Sequence, residues 1–316
     1  MNNYALEQAE ELFEQALEYF LGIEKEKNMI HAKELLQKSS ELGLSKSTNL
    51  LGDWYIKKIL PGDNYKEAFK LYTRGCEYGD MRSFSRLAMC YEKGYGIEKN
   101  IPKSLDLYEK SVELGNKDAC FSIARIYEKG ENIIMDLSKA ILWYKRGYEM
   151  GDADCACNLA TCYYKGKGIE QNIEKAKEIF LAFSEYNTQN QRNLGVIYYK
   201  GTPSCEPNKE KAIYWFTKAA NNGDITSMLH LGKIYKDFDK EKAMEWYKKA
   251  GNLDHKKAAY LYAFHLYQYE IDRNESFKWM KCSAENKHVP AQFLLGLFYK
   301  CGIGTPVAHD IFIGLI

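Results

Sequence analysis

The stretch Met81–Asn116 reads MRSFSRLAMCYEKGYGIEKNIPKSLDLYEKSVELGN. It parses as two helices. Leu87, Ala88 and Tyr91 share one face at helical spacing, which predicts a helix A over Arg82–Lys93. Gly94-Tyr95-Gly96 ends it, because glycine accepts the left-handed conformation that follows a last turn. Asn100 offers a side-chain oxygen to the free amides of a second helix. Pro102 falls in that helix's first turn, where a missing N–H costs little. Leu105, Tyr108, Val112 and Leu114 give helix B an apolar stripe. Gly115 closes it, and Asn116 reads as the cap of the next helix.

The pattern returns along the chain. The small residue early in helix B is Ala32, Ala68, Ser104, Ala140, Ala176 and Ala212, each 36 residues after the last. Ala243 and Ser276 follow at spacings of 31 and 33. Four residues before each of these stands a capping residue: Asn28, Asn64, Asn100, Asp136, Asn172, Asn208, Asp239 and Asp272. Only helix starts favour that chemistry so consistently. Helix A keeps its own register, with a small residue at Ala16, Gly52, Ala88, Ala124, Ala160, Gly195, Gly232, Ala263 and Gly296. Three positions later come Tyr19, Tyr55, Tyr91, Tyr127, Tyr163, Tyr198, Tyr235, Leu266 and Tyr299. The small residue is expected to let two backbones approach. The tyrosine then fills the gap beside it and keeps its hydroxyl near water. Tyrosines locked to the packing period read as structural, which explains 25 of them without a ligand.

A fixed period over 316 residues argues for one continuous solenoid, 1–316, rather than two globular domains. The repeats run 1–44, 45–80, 81–116, 117–152, 153–188, 189–224, 225–255, 256–290 and 291–316, the last incomplete. The expected fold is all-α: a right-handed α-α superhelix of about nine stacked helix-turn-helix repeats. The second repeat's loop carries Leu60-Pro61-Gly62. The fifth repeat ends in Asn187, a permitted left-handed substitute for glycine. The seventh shortens its loop to Asp237-Phe238, and the eighth lacks loop glycines.

Lys+Arg 44 against Asp+Glu 43 leaves a net charge of +1, which is no nucleic-acid or membrane signature. The N-terminus is acidic and amphipathic, unlike a targeting segment, and no apolar run approaches the ~18 residues of a membrane span. The chain therefore reads as cytoplasmic, with the nucleus as the alternative.

The string L-G-x-x-Y-x-x-G-x-G, a loop, an Asn/Asp cap, then K-A-x-x-W-[YF]-x-x-A-A-x-x-G resembles the Sel-one-like repeat (SLR), a tetratricopeptide-like family. Its best copies here are Leu87–Gly96, Leu159–Gly168 and Lys211–Gly223. The resemblance covers nearly the whole chain. It implies a non-catalytic adaptor or scaffold that holds a partner protein or peptide in a concave groove. The alternative is a small-molecule-binding or enzymatic protein of the same family. A disulfide-rich branch pairs cysteines eight residues apart between helix B and the next helix A. None of the nine cysteines here has that spacing, so they read as reduced, packed thiols. Cys155, Cys157 and Cys162 lie on one predicted helix with no histidine to complete a metal site.

No cofactor is expected. The six histidines form no H-E-x-x-H and no nucleophile motif. Gly94-Tyr95-Gly96 and Gly166-Lys167-Gly168 follow helices rather than strands, so helix termination explains them better than phosphate binding.

In the related tetratricopeptide units helix A lines the groove, at positions −6, −3, +1, +4 and +5 from its small residue. Carried over by resemblance, the lining of the second to sixth repeats includes Lys57, Arg82, Lys93, Arg125, Lys129, Tyr164, Lys165, Arg192, Tyr199 and Lys200. Nine basic residues there face five acidic ones: Asp53, Glu92, Asp118, Glu128 and Asp154. This reads either as a solvated helix end or as a groove for an acidic partner. At the C-terminal end Tyr260, Phe264, Tyr267, Phe293 and Leu297 take groove positions. An aromatic end patch of this kind needs a cover: the tail Val307–Ile316, a partner, or a second copy in self-association.

Overall fold

The structure, a computed structural model, describes residues 3–23, 26–60 and 64–306. Pro61, Gly62 and the tail Val307–Ile316 lie outside the described residues. The chain divides into two compact units, Met1–Gln171 and Asn172–Ile316. The first holds α1 (Asn3–Leu21), α2 (Met29–Glu41), α3 (Ser45–Ile56), α4 (Asn64–Glu77), α5 (Met81–Lys93), α6 (Ile101–Glu113), α7 (Asp118–Lys129), α8 (Leu137–Glu149) and α9 (Ala153–Lys165). The second holds α10 (Ile173–Ala182), α11 (Thr188–Lys200), α12 (Lys209–Asn221), α13 (Ile225–Tyr235), α14 (Lys240–Gly251), α15 (Lys256–Gln268), α16 (Arg273–Glu285) and α17 (Val289–Cys301). Within each unit every helix packs on its chain neighbours, and next-nearest A helices also touch, as in α3 with α5, α7 with α9, and α11 with α13. This is the expected all-α stacking of helix pairs.

The caps follow the local chemistry. Asn28, Asn100, Asp136, Asn172, Asn208, Asp239 and Asp272 each accept a hydrogen bond from the amide three residues on. Asn64 is the first residue of α4. Three expectations are corrected. Leu114 is the C-cap of α6 and 46% exposed, so the apolar stripe stops at Val112. Asn116 does not cap α7; its side-chain amide turns back to donate to the Ser111 hydroxyl. Asn187 is not left-handed. Its φ is −147°, and it caps α11 by accepting from the Gln189 and Asn190 amides, because α10 stops early at Ala182. Elsewhere the end of helix B does take a positive φ. Gly43, Gly79, Gly115, Gly151 and Gly223 supply it, and Asp254 (56°) and Lys287 (58°) adopt it without being glycine.

The glycines of helix A also have another cause than backbone approach. A Cβ on Gly52, Gly195 or Gly232 would lie 2.4, 2.5 or 2.4 Å from the ring of Tyr72, Phe216 or Tyr247. These rings come from helix B, four residues after its small residue. The same column holds Leu36, Tyr72, Tyr108, Tyr144, Phe180, Phe216, Tyr247 and Met280, all essentially buried. The column is a ring in six repeats and Leu36 or Met280 in two others, and at Gly52, Gly195 and Gly232 the helix-B ring is pressed into the helix-A notch. Where the small residue of helix B is serine, its hydroxyl is satisfied inside the core. Ser104 donates to the Ala88 carbonyl at 2.8 Å and Ser276 to that of Ala263 at 2.7 Å.

Candidate functional site

In the unit Met1–Gln171 the groove positions of neighbouring A helices lie side by side, and their charges sort unequally. Three of the five carboxylates, Asp53, Glu92 and Glu128, turn inward, and Asp118 and Asp154 are exposed. Asp53 accepts two bonds of 2.7 Å from the Arg86 guanidinium and one of 2.7 Å from the buried Tyr72 hydroxyl. Glu92, only 9% exposed, accepts from the Tyr108 hydroxyl at 3.0 Å and from Lys93 at 2.5 Å, with Arg125 at 3.6 Å. Glu128 accepts from the Tyr144 hydroxyl at 2.7 Å and from Lys167 at 2.6 Å. Burial pushes the Glu128 carboxyl up, but the Lys167 ammonium and the Tyr144 hydroxyl outweigh it and hold the group below its ordinary value. Burial and the neighbouring carboxylates push the Tyr72, Tyr108 and Tyr144 phenols far up, so they stay protonated and donate to those carboxylates.

The cations sort the other way. Lys57, Arg82 and Lys165 are exposed and make no ion pair among the described residues. Lys93 and Arg125 are occupied by Glu92, and Lys129 lies 3.7 Å from Glu131. These three line a crevice of about 20 Å³, room for a single water. Tyr164, next to Lys165 in sequence, is half-buried, its carbonyl accepting from Gln171.

In the unit Asn172–Ile316, Arg192 donates to Asp224 at 2.7 Å, the residue that caps α13. Lys200 is exposed without an ion pair, whereas Tyr199 packs on the core around Phe216 and Leu231. The five C-terminal residues do not form one patch. Tyr260 and Phe264 stack on each other at 5.9 Å and face α13 across a cavity. Tyr267 packs on Phe298 at 5.0 Å, Leu297 is half-buried, and Phe293 is 56% exposed. Seven of the eleven lining residues fall on the groove positions assigned to helix A: Thr226, Leu229 and Lys233 from α13, its C-cap Lys236, and Lys257, Tyr260 and Phe264 from α15.

Five of the nine cysteines are packing groups. Cys90, Cys120, Cys155, Cys157 and Cys162 are buried, and Cys155 fills the space beside Gly147. Burial pushes the Cys90 thiol up to about 12 and the Cys120 and Cys162 thiols up to about 11, which makes them poor nucleophiles and poor ligands. Among the described residues no His/Cys/Asp/Glu group could hold a metal ion, and no helix is long and apolar enough to cross a membrane.

Helix pairs repeated with one cap chemistry and one core column define a tandem-repeat α protein. The Sel1 repeat model matches residues 12–44, 47–80, 85–116, 117–152, 153–184, 191–224, 227–255, 256–288 and 289–311, and the chain belongs to that family. It is similar to the Sel1 repeat protein from Oxalobacter formigenes, at 25% identity and TM-score 0.64, covering 78% of this chain and 99% of that one. It is also similar to c5321, a protective antigen of uropathogenic Escherichia coli with an SLR fold. That match has 24% identity and TM-score 0.53 over 97% of this chain and 75% of that one. No curated protein sequence matches the chain.

Proposed function

We propose that this protein is a non-catalytic adaptor of the cytoplasm that holds an acidic protein or peptide segment against its A-helix face. One observation supports this most: in the unit Met1–Gln171 three of the face's five carboxylates are turned in and paired, with Asp118 and Asp154 exposed, while three of its cations stand exposed and unpaired among the described residues. Asp53, Glu92 and Glu128 are neutralised by Arg86, Lys93 and Lys167, while Lys57, Arg82 and Lys165 stand exposed and unpaired among the described residues. A face with overall charge balance would attract nothing in particular. One with three of its five acids internally paired leaves Lys57, Arg82 and Lys165 against only Asp118 and Asp154 and so presents net positive potential to solvent. Arginine at Arg82 can hold a carboxylate through two parallel hydrogen bonds, and lysines at repeat spacing add separate point charges. The near-neutral chain as a whole disfavours nucleic acid as the ligand. The experiment is affinity capture with wild type and with Lys57→Glu/Arg82→Glu/Lys165→Glu, read by mass spectrometry. A stoichiometric protein recovered by wild type and lost from the folded variant supports the reading. Equal recovery by both would move binding elsewhere on the surface.

A further inference from the structure

The groove positions of α13 and α15 line much of an open cavity of about 640 Å³, within the size range of ligand pockets. Leu229, Tyr260 and Phe264 give it apolar walls. Its charged lining consists of Lys233, Lys236 and Lys257, all exposed, with no carboxylate among the lining residues and Asp237 3.9 Å from Lys236 just outside them. His265 also lines it and is only 8% exposed. The imidazole is clamped between Tyr247, stacked at 5.5 Å, and Tyr269, stacked at 5.4 Å, so it cannot swing out to water. Its Nδ1 is buried and has no hydrogen-bond partner among the described residues. Buried polar atoms are almost always paired, so an unpaired one fixed in a cavity wall marks where a ligand's polar group sits. Burial also lowers the basicity of this histidine, against a side-chain hydrogen bond with Gln268 that raises it.

We propose that this cavity binds an acidic protein segment that inserts one aromatic side chain beside His265 and sets its carboxylates on Lys233, Lys236 and Lys257. The assignment rests on the protein-binding reading above and gives it a specific site in the unit Asn172–Ile316. Two features favour a chain segment over a compact metabolite. The lysines come from α13, its C-cap and α15, three positions that offer separate partners to several carboxylates. The apolar wall is aromatic, which suits a flat ring packed against Tyr260 and Phe264.

The test uses a fluorescein-labelled acidic nonapeptide with one central tryptophan, and the same peptide with alanine in its place, measured by fluorescence anisotropy. Wild type is expected to bind the tryptophan peptide at least ~10-fold tighter than the alanine peptide, a gap within reach of one buried ring. The double variant Lys233→Glu/Lys257→Glu, changed only at exposed positions, should lose at least ~10-fold. Leu229→Trp, which fills the cavity, should remove the preference for tryptophan. Equal binding of the two peptides, or undiminished binding by the double variant, would overturn the proposal. So would anilinonaphthalene sulfonate binding in the cavity that the tryptophan peptide fails to displace, since the site would then take a compact aromatic anion. If the peptide fails while captured protein still depends on Lys57, Arg82 and Lys165, the cavity assignment falls and the adaptor reading stands.

Discussion

The Tyr108 hydroxyl, in α6, donates at 3.0 Å to the Glu92 carboxylate of α5, a residue with only 9% of its surface exposed. The ring of Tyr108 occupies the core column of its repeat, so one side chain both fills the core and satisfies a buried charge. Replacing it with phenylalanine keeps the packing and removes the donor. Tyr108→Phe is expected to destabilise by about 2 kcal/mol, the scale of a hydrogen bond to a charged group. Urea unfolding checks this; a change inside about 0.5 kcal/mol would mean that Lys93 and Arg125 alone keep Glu92 satisfied.

Glu128 gives a pH test. Its folded carboxyl is held low, with Lys167 the first partner that opposes burial. Its contribution is therefore fully present above the unfolded glutamate value of about 4.3 and is lost as pH falls through the lower folded value. Lys167→Ala should destabilise at pH 7, and the gap from wild type should close as the pH approaches about 3. Unfolding free energies at the two pH values decide it; a gap that widens towards acid would contradict the pairing.

Lys287 holds a left-handed backbone where five other repeats use glycine. Lys287→Gly is expected to stabilise by about 1 kcal/mol, since a side chain in that conformation carries a penalty of that order. Thermal unfolding would show a raised midpoint. A lowered one would mean that the lysine side chain contributes more than the strain removes.

The notch at Gly195 makes the opposite prediction. A methyl group there would meet Phe216 Cδ1 at 2.5 Å. Gly195→Ala should cost about 1–3 kcal/mol by overpacking, and Phe216→Leu in the same chain should recover part of it. Additive losses in the double variant would show that the two side chains do not share the space.

The sequence shows most clearly what is local. A cap such as Asn100 bonds an amide three residues away, so residue type and spacing suffice to place it. Asn187 is misread because asparagine serves both left-handed ends and helix starts, and only the early stop of α10 decides between them. Gly195 is visible as a small residue, but its cause, the Phe216 ring, comes from the next helix. Sorting the groove charges required partners 16 to 39 residues away, Tyr108 for Glu92 and Lys167 for Glu128. A signal for the first existed: Tyr72, Tyr108 and Tyr144 stand 36 residues apart, in a column with no other reason to carry a hydroxyl. The cavity beside His265 had its walls at legible groove positions. Its emptiness and the unpaired Nδ1 are properties of packing that no spacing encodes.

The most direct test is the affinity of the captured partner for wild type and for Lys57→Glu/Arg82→Glu/Lys165→Glu, measured from about 0.05 to about 0.5 M salt. Exposed pairs contribute only about 0–1 kcal/mol each, so the three reversals together should weaken binding roughly 10- to 100-fold at low salt. The wild-type affinity should fall steeply with salt and converge towards that of the variant. A salt-independent affinity, equal in both proteins, would contradict a cationic A-helix face as the binding surface.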